Sequence, residues 1–311
     1  CNVSSGIGGI ETFFKETEKL LARGPGRVSP LCIPSMIGNM AAGNIAIRFG
    51  ARGECVPVVT ACATSTHAAG EAYRLIRHGY LDAVITGGSE ASISPLGLAG
   101  FANCMALSEE PDPSRASLPF DARRKGFVMG EGAAALVLEN YDHAKARGAV
   151  ILGEIVGYGS TCDAHHITAP HPEGDGAARA IALALAEAGF DGAESVYVNA
   201  HGTGTPYNDR LETVAIKKAL GEEAARRAAI SSIKGATGHM LGAAGAAELI
   251  ATVLALREGV LPPTIPLEVP DPDCDLDYVP GKARQDRRDL GVSVSLGFGG
   301  HNGALAVRRG E

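Results

Sequence analysis

Three residues in this sequence have the types and settings that thiol chemistry needs: Cys62, His201 and His239. Cys62 lies in Val58-Val59-Thr60-Ala61-Cys62-Ala63-Thr64-Ser65, where an apolar strand over Val56–Ala61 runs into a helix of small residues. A helix N-terminus presents free amides and the positive end of the helix dipole, both of which favour a thiolate. Taken alone, Cys62 is equally well read as a buried small hydrophobe, as free cysteines often are. His201 opens the loop His201-Gly202-Thr203-Gly204-Thr205-Pro206 at the end of a strand. Strand-end loops of open α/β sheets collect reactive groups. The glycines admit a ligand to the backbone, and Thr203 and Thr205 supply hydroxyls.

His239 sits in Lys234-Gly235-Ala236-Thr237-Gly238-His239-Met240-Leu241-Gly242-Ala243-Ala244-Gly245. The order of its glycines and lysine is not that of a phosphate-binding Walker loop. Gly242 and Gly245 are read as helix-packing positions. A titratable ring in so apolar a stretch needs a partner or a task. The last constellation, Gly297-Phe298-Gly299-Gly300-His301-Asn302, places a bulky ring between glycines. Its backbone N–H groups suit an oxyanion site; a plain hairpin with an anchoring Phe is the alternative.

The elements that must carry these residues alternate strand and helix, which is the pattern of an α/β architecture. Helix is expected over Thr64–His78, Ala177–Ala188, Arg210–Leu220 and Ala243–Arg257. Strands are expected at Ala83–Thr86, Ala133–Glu139, Ile151–Tyr158, Ser195–Ala200 and Ala229–Ser232, with a closing hairpin of Val292–Leu296 and Leu305–Arg308. The chain divides at Gly148 into halves 1–148 and 149–311. In each half a strand delivers a reactive residue towards a helix rich in Ala and Gly. Small residues all round, as in Thr64–Gly70 and Ala243–Ala247, mark helices buried on every side.

The 311 residues, 45% hydrophobic and 20% charged, are enough to bury a large core without disulfide staples. A net charge of −7 argues against a nucleic-acid binder and against an anionic membrane surface. The seven cysteines form no CxxC pair, which suits a reducing, cytoplasmic setting. No apolar run approaches the ~18–20 residues that span a bilayer. His165, His166 and His171 lack metal-ligand spacing, so no metal is expected.

Taken in order, Thr-Ala-Cys, His-Gly-Thr-Gly-Thr-Pro, Lys-x3-Gly-His-x2-Gly-Ala-Ala-Gly and Gly-Phe-Gly-Gly-His-Asn resemble the signature set of β-ketoacyl-[acyl carrier protein] synthases, in the elongating synthase I/II branch and nearest to synthase II. Pro262-Pro263-Thr264 and Cys274-Asp275-Leu276-Asp277 extend the resemblance along the chain. It implies a thiolase-like layered αβαβα fold of two related halves, a homodimer, and an acyl carrier protein as partner. It implies that Cys62 takes the acyl group, and that His201 and His239 decarboxylate malonyl-carrier protein and stabilise the enolate. The amides of Cys62 and Phe298 would hold the thioester oxyanion, and Phe298 would gate the acyl pocket. Lys234 and Glu248 would form a pair positioning His239. Thr203, Thr205 and Thr168 would hold the phosphopantetheine arm, and no cofactor of the enzyme's own is implied. A histidine at 239, where thiolases carry cysteine and initiating synthases asparagine, points to elongation. Rival readings are a polyketide ketosynthase and a non-catalytic chain-length subunit, the second disfavoured by Cys62. Arg27 and Arg123-Arg124-Lys125 are candidate contacts for an acidic carrier. The family carries a further segment ahead of Ser5, so the opening, mid-strand and without a start methionine, reads as that of a fragment with an unpaired strand.

Overall fold

The structure, a computed structural model, describes residues 1–310. The first half begins with strand β1 (Asn2–Ser4), followed by helices α1 (Ile10–Arg23), α2 (Cys32–Met36) and α3 (Met40–Phe49). A 3-10 turn at Ala61–Ala63 leads into α4 (Thr64–Arg77), then β2 (Ala83–Glu90), α5 (Pro95–Asn103), β3 (Gly132–Glu139) and α6 (Tyr141–Ala146). The second half runs β4 (Gly153–Cys162), α7 (Asp175–Glu187), β5 (Val196–Asn199), α8 (Pro206–Leu220), α9 (Glu222–Arg227) and β6 (Ala229–Ser231). It continues with α10 (Lys234–Thr237), a 3-10 turn at Leu241–Ala243, α11 (Ala244–Glu258), the short β7 (Val260–Leu261) and β8 (Arg284–Gln285), and the hairpin β9 (Leu290–Gly297) and β10 (His301–Arg309).

Two main sheets result. One has the order β1-β2-β3, the other β4-β10-β9-β5-β6. The second is antiparallel across β4, β10 and β9 and parallel across β9, β5 and β6. Helices α4 and α11 form the layer between the sheets, each touching strands of both, while α7 packs on β4 and β10 from outside with α8 beside it. The layered α/β expectation is met, and most expected elements appear with ends shifted by a few residues. Helices α1, α2, α3, α5, α9 and α10 are not among the expected elements.

One expected strand is absent. Residues 56–60 are extended but join no ladder, and Val56 and Val59 are exposed rather than buried. The recorded tie to β1 is a bond from the Val58 N–H to Ser4 Oγ at 3.1 Å. An apolar run becomes a buried strand only where a ladder partner and a covering layer exist, and Val56 and Val59 lack that cover.

The two central helices meet at their N-termini, and small residues make this possible. Thr64 through Gly70 are all buried. A Cβ on Gly245 would fall 2.0 Å from Thr66 Oγ1, and one on Gly88 would fall 2.5 Å from the Gly242 carbonyl. Polar groups are satisfied across the seam: Ser65 Oγ accepts from the Ala246 N–H of the opposite helix at 2.8 Å, and Thr66 bonds Ser295. Both helices are entered by the same device, a 3-10 turn that opens on a residue of positive φ. Ala61 has φ 51° and Leu241 has φ 47°. Such residues cost of order 1–3 kcal/mol and persist where packing fixes them.

Close approach also sets the outer layer. A Cβ on Gly159 of β4 would lie 1.8 Å from the carbonyl oxygen of Ala180, and one on Gly157 2.1 Å from that of Ala184. Gly159→Val is therefore expected to lower stability by at least ~1–3 kcal/mol, the usual cost of overpacking. Urea unfolding followed by circular dichroism checks it; an unchanged midpoint contradicts the packing.

Candidate active site

The structure gathers most of the expected residues at the seam. Cys62 lies in the turn before α4, 8% exposed, against Phe127, Met129 and Leu241. His239 meets the same Phe127 edge-on, with ring centroids 5.1 Å apart. His201 and His239 face each other edge-to-face at 5.2 Å. Both rings are buried, at 3% and 2% exposure.

Backbone bonds fix each of them. The His239 N–H donates to the Val128 carbonyl at 2.7 Å, and the Gly130 N–H donates back to the His239 carbonyl at 2.9 Å. The N–H groups of His201 and Gly202 donate to the two oxygens of Glu212, at 2.6 and 2.8 Å. Gly202 has φ 37°, and a Cβ there would strike Ser232 and Phe120. Asp209, one helical turn before Glu212 on α8, accepts from the N–H groups of Gly204 and Phe120. These two carboxylates escaped the sequence reading. Their spacing, three residues apart on a helix directly after the His-Gly-Thr loop, was the available signal.

Lys234 and Glu248 form a wholly buried ion pair, each 1% exposed. Removing one member of such a pair typically costs 3–5 kcal/mol, because a buried charge is left unmatched. Glu248 Oε2, Asn199 Oδ1 and Ser293 Oγ are buried oxygens without a hydrogen-bond partner among the described residues. No group of three or more His, Cys, Asp or Glu able to hold a metal occurs among the described residues.

The thiol differs from the sequence expectation. Burial pushes Cys62 up to about 12; Lys234 and the N–H groups of Phe298 and of Cys62 itself pull it back, and Glu90 pushes it further. The N–H of Cys62 itself acts in the sense expected of helix-end amides, joined by that of Phe298. Loss of hydration outweighs them, so the resting group is a thiol. His201 and His239 are held well below the ordinary 6.5, first by burial and then by Lys234, so both rings are neutral. His201 Nδ1 and both ring nitrogens of His239 are buried without a partner among the described residues. His67 on α4 was also missed: it is buried, with an unpartnered Nε2, and lowered to about 4, chiefly by burial.

Phe298 is half-buried, in the turn between β9 and β10, with its ring 6.4 Å from that of Phe101. Gly297 allows this turn to approach Cys62, since a Cβ there would meet the Thr60 carbonyl at 2.7 Å and the Cys62 nitrogen at 3.3 Å. Thr203 and Thr205 share a hydrogen bond of 2.9 Å. Thr168 is on a separate, exposed segment, whose Ile167 carbonyl accepts from Gly299 N–H at 2.7 Å. That bond lays the segment beside the Phe298 turn. His165 and His171 stack edge-on there at 5.2 Å.

The basic run is a correction. Arg124, 6% exposed, pairs with Asp271 and bonds the carbonyls of Thr205 and Pro206; Arg123 pairs with Asp121 and Glu268. Both are committed to partners inside the chain, and Arg124 braces the end of the His201–Pro206 loop. Lys125, paired with Glu110, and Arg27 remain exposed.

Paired sheets around two buried helices, with a thiol and two neutral imidazoles at the helix entrances, define an acyltransferase of the thiolase fold. The comparisons place it within that class. The β-ketoacyl synthase N-terminal domain matches residues 1–144, and the C-terminal domain residues 152–268. The 3-oxoacyl-[acyl-carrier-protein] synthase 2 of Synechocystis sp. is 54% identical over 99% of this chain and 74% of its own length. The synthase 2 of Staphylococcus aureus is 48% identical over the same shares. Among solved structures, a β-ketoacyl synthase from Burkholderia phymatum superimposes with a TM-score of 0.92 at 38% identity, over 99% of this chain and 74% of the other. A type II polyketide ketosynthase in complex with its acyl-carrier protein and a hexaketide matches at 0.92 and 36%, over 100% and 78%. This chain belongs to the β-ketoacyl synthase family, in its elongating synthase 2 branch. The polyketide alternative is not favoured, and the chain spans about three-quarters of the length of its curated relatives.

Neutral buried rings have a consequence for stability. The unfolded chain takes up protons near pH 6.5 that folded His201, His239 and His67 refuse, so their contribution is full above that pH and is lost below it. Glu212, raised to about 7 mainly by burial, acts oppositely: its contribution is full below 4.5 and lost as pH rises through 7. Asp209 and Glu248, also raised by burial, act in the sense of Glu212. The histidine part is therefore read as a difference: between about pH 7 and 5 the urea midpoint of the wild type is expected to fall relative to that of His67→Leu. A difference that stays constant over this range contradicts a neutral, buried His67.

Proposed function

We propose that this enzyme extends an acyl chain by two carbons in a decarboxylating Claisen condensation with Cys62 as the acylated residue. The observation that carries this reading is the pair of buried, neutral, unpartnered imidazoles beside a buried thiol. A buried polar group without a partner is costly unless a ligand completes it.

In the first step Cys62 sulfur attacks the thioester of an acyl-carrier protein. Its C–S bond forms, the carrier's C–S bond breaks, and the carrier thiol leaves with the proton that the Cys62 thiol gives up. The N–H groups of Cys62 and Phe298 receive the developing oxyanion, and a donor so placed is worth roughly 3–4 kcal/mol. In the second step a malonyl-carrier protein loses carbon dioxide, and the electron pair of the broken bond becomes an enolate. His201 and His239, as neutral donors, stabilise its oxygen. Decarboxylation itself generates the carbanion, so no strong base is required. The enolate carbon then attacks the acyl-Cys62 carbonyl, a C–C bond forms, and the Cys62 sulfur departs as thiolate and takes from water the one proton that the decarboxylating condensation consumes.

The supporting residues follow from their places. The Lys234–Glu248 pair fixes the ground beneath His239. Thr203, Thr205 and Thr168 hold the phosphopantetheine arm, which the carrier supplies, so the enzyme needs no cofactor of its own. Phe298, in its glycine-flanked turn, gates the acyl pocket. The structural neighbour solved with its acyl-carrier protein supports a carrier as partner, and exposed Arg27 and Lys125 are the basic residues available to an acidic one. Exposed Val56 and Val59 on an unpaired extended stretch suit a second copy of the chain, giving a homodimer. A cytoplasmic location fits the free cysteines and the lack of any helix long and apolar enough to cross a membrane among the described residues.

Intact-mass analysis after incubation with acyl-carrier protein tests the reading. One acyl group is expected per chain, mapped to Cys62 and absent from Cys62→Ala, and a Cys62→Ala variant that still condenses would sink the assignment. A native spectrum of the same sample should show a dimer, and a monomer alone contradicts that part.

A further inference from the structure

Glu90, the last residue of β2, is 3% exposed and belongs to none of the constellations described above. Its Oε1 accepts from Ser5 Oγ at 2.8 Å, from the Ile7 N–H at 3.3 Å and from Ser92 Oγ at 3.3 Å. Its Oε2 accepts from the N–H groups of Gly6 at 2.8 Å and of Gly242 at 3.1 Å. Among the described residues no Lys, Arg or His forms an ion pair with it, so the buried charge is balanced by hydrogen bonds alone.

These donors come from both halves of the chain. Gly6 is pressed between the two helix entrances: a Cβ there would lie 2.8 Å from Glu90 Oε2 and 3.0 Å from the Ala61 carbonyl. A Cβ on Gly242 would lie 2.4 Å from the Gly6 nitrogen and 2.7 Å from Glu90 Oε2. Ala61 immediately precedes Cys62, and Gly242 stands three residues beyond His239. Ala61 and Leu241 both carry positive φ, so each turn needs an external hold to stay in place.

We propose that Glu90 is a positioning residue for the condensation, a buried carboxylate that ties the Ser5–Ile7 segment, packed against the Ala61 carbonyl beside Cys62, to the turn at Gly242 that follows His239. The proposal deepens the ketosynthase reading and rests on it. The latch also carries charge to the thiol. At Cys62 the groups acting through space are Lys234, which favours the thiolate, and Glu90, which opposes it. Glu90 thus helps keep the resting cysteine protonated.

Glu90→Gln and Glu90→Asp separate the two effects. Gln keeps the size, removes the charge, and turns an amide donor towards the N–H groups it must accept from. Condensation in Glu90→Gln is expected to fall at least about tenfold in kcat, and iodoacetamide alkylation of Cys62, mapped by mass, should shift to lower pH. Asp keeps the charge but is one methylene shorter. Its alkylation profile should stay at the wild-type position while kcat still falls severalfold. A Glu90→Gln enzyme that condenses within about twofold of wild type, or whose alkylation profile superimposes on it, overturns the proposal. Should Glu90→Gln not fold, Ser5→Ala removes a single donor; a partial fall in kcat at unchanged KM is expected, and wild-type kcat overturns the latch. Alkylation needs no acyl substrate. A wild-type chain that is alkylated at Cys62 but never acylated would therefore discredit the ketosynthase reading without touching the role of Glu90.

Discussion

Everything in this molecule depends on bringing the N-termini of α4 and α11 into contact at the seam between its two sheets. Helix ends carry unsatisfied N–H groups, so two ends can meet in a buried place only if side chains from the opposite half supply acceptors. Ser65 does this for Ala246, and Glu90 for Gly242. The approach also requires that nothing larger than a hydrogen stand at Gly88, Gly242 and Gly245. The small-residue stretches before and within both helices are the sequence's answer to that demand. Once the ends meet, the residues that enter each helix meet too, and that is how a cysteine from one half comes to share Phe127 with a histidine from the other.

The same burial decides the protonation states. Water is kept from the thiol and both imidazoles, so each stays in its neutral form. A neutral imidazole can still donate a hydrogen bond, and an enolate oxygen is the acceptor such a donor favours. Lys234 stands beside this group, and Glu248 pairs with it so that neither is buried unmatched. Against two charged imidazoles in the same volume, like-charge repulsion and desolvation act together. The arrangement is therefore self-consistent only with neutral rings.

How much of this was legible in the sequence depended on whether the cause was local. The His201 loop, the His239 loop and the Phe298 turn announce themselves through glycines that a chain uses only where it must turn or be approached closely. The burial of the first turns of α4 and α11 follows from composition, because a stretch of small residues has no face to give to solvent. The extended run at residues 56–60 was misread because burial of an apolar stretch depends on neighbours that local pattern does not contain. The thiol was misjudged for a related reason: helix-end amides are visible in sequence, whereas desolvation is a property of the assembled seam. Arg123 and Arg124 looked like a surface for an acidic partner, yet their acids lie up to 147 residues away. Glu90, Glu212 and Asp209 are ordinary acids in the sequence, and only the fold shows what they accept from.

The proposed condensation rests on one state, two uncharged imidazoles to receive the enolate oxygen. Nitrogen-15 NMR of histidine-labelled enzyme, with His201→Gln and His239→Gln used for assignment, reads it directly. Both rings are expected to keep neutral-imidazole shifts from pH 8 down to about 5.5, well below where a free ring protonates. Either ring titrating near its ordinary 6.5 would contradict the account.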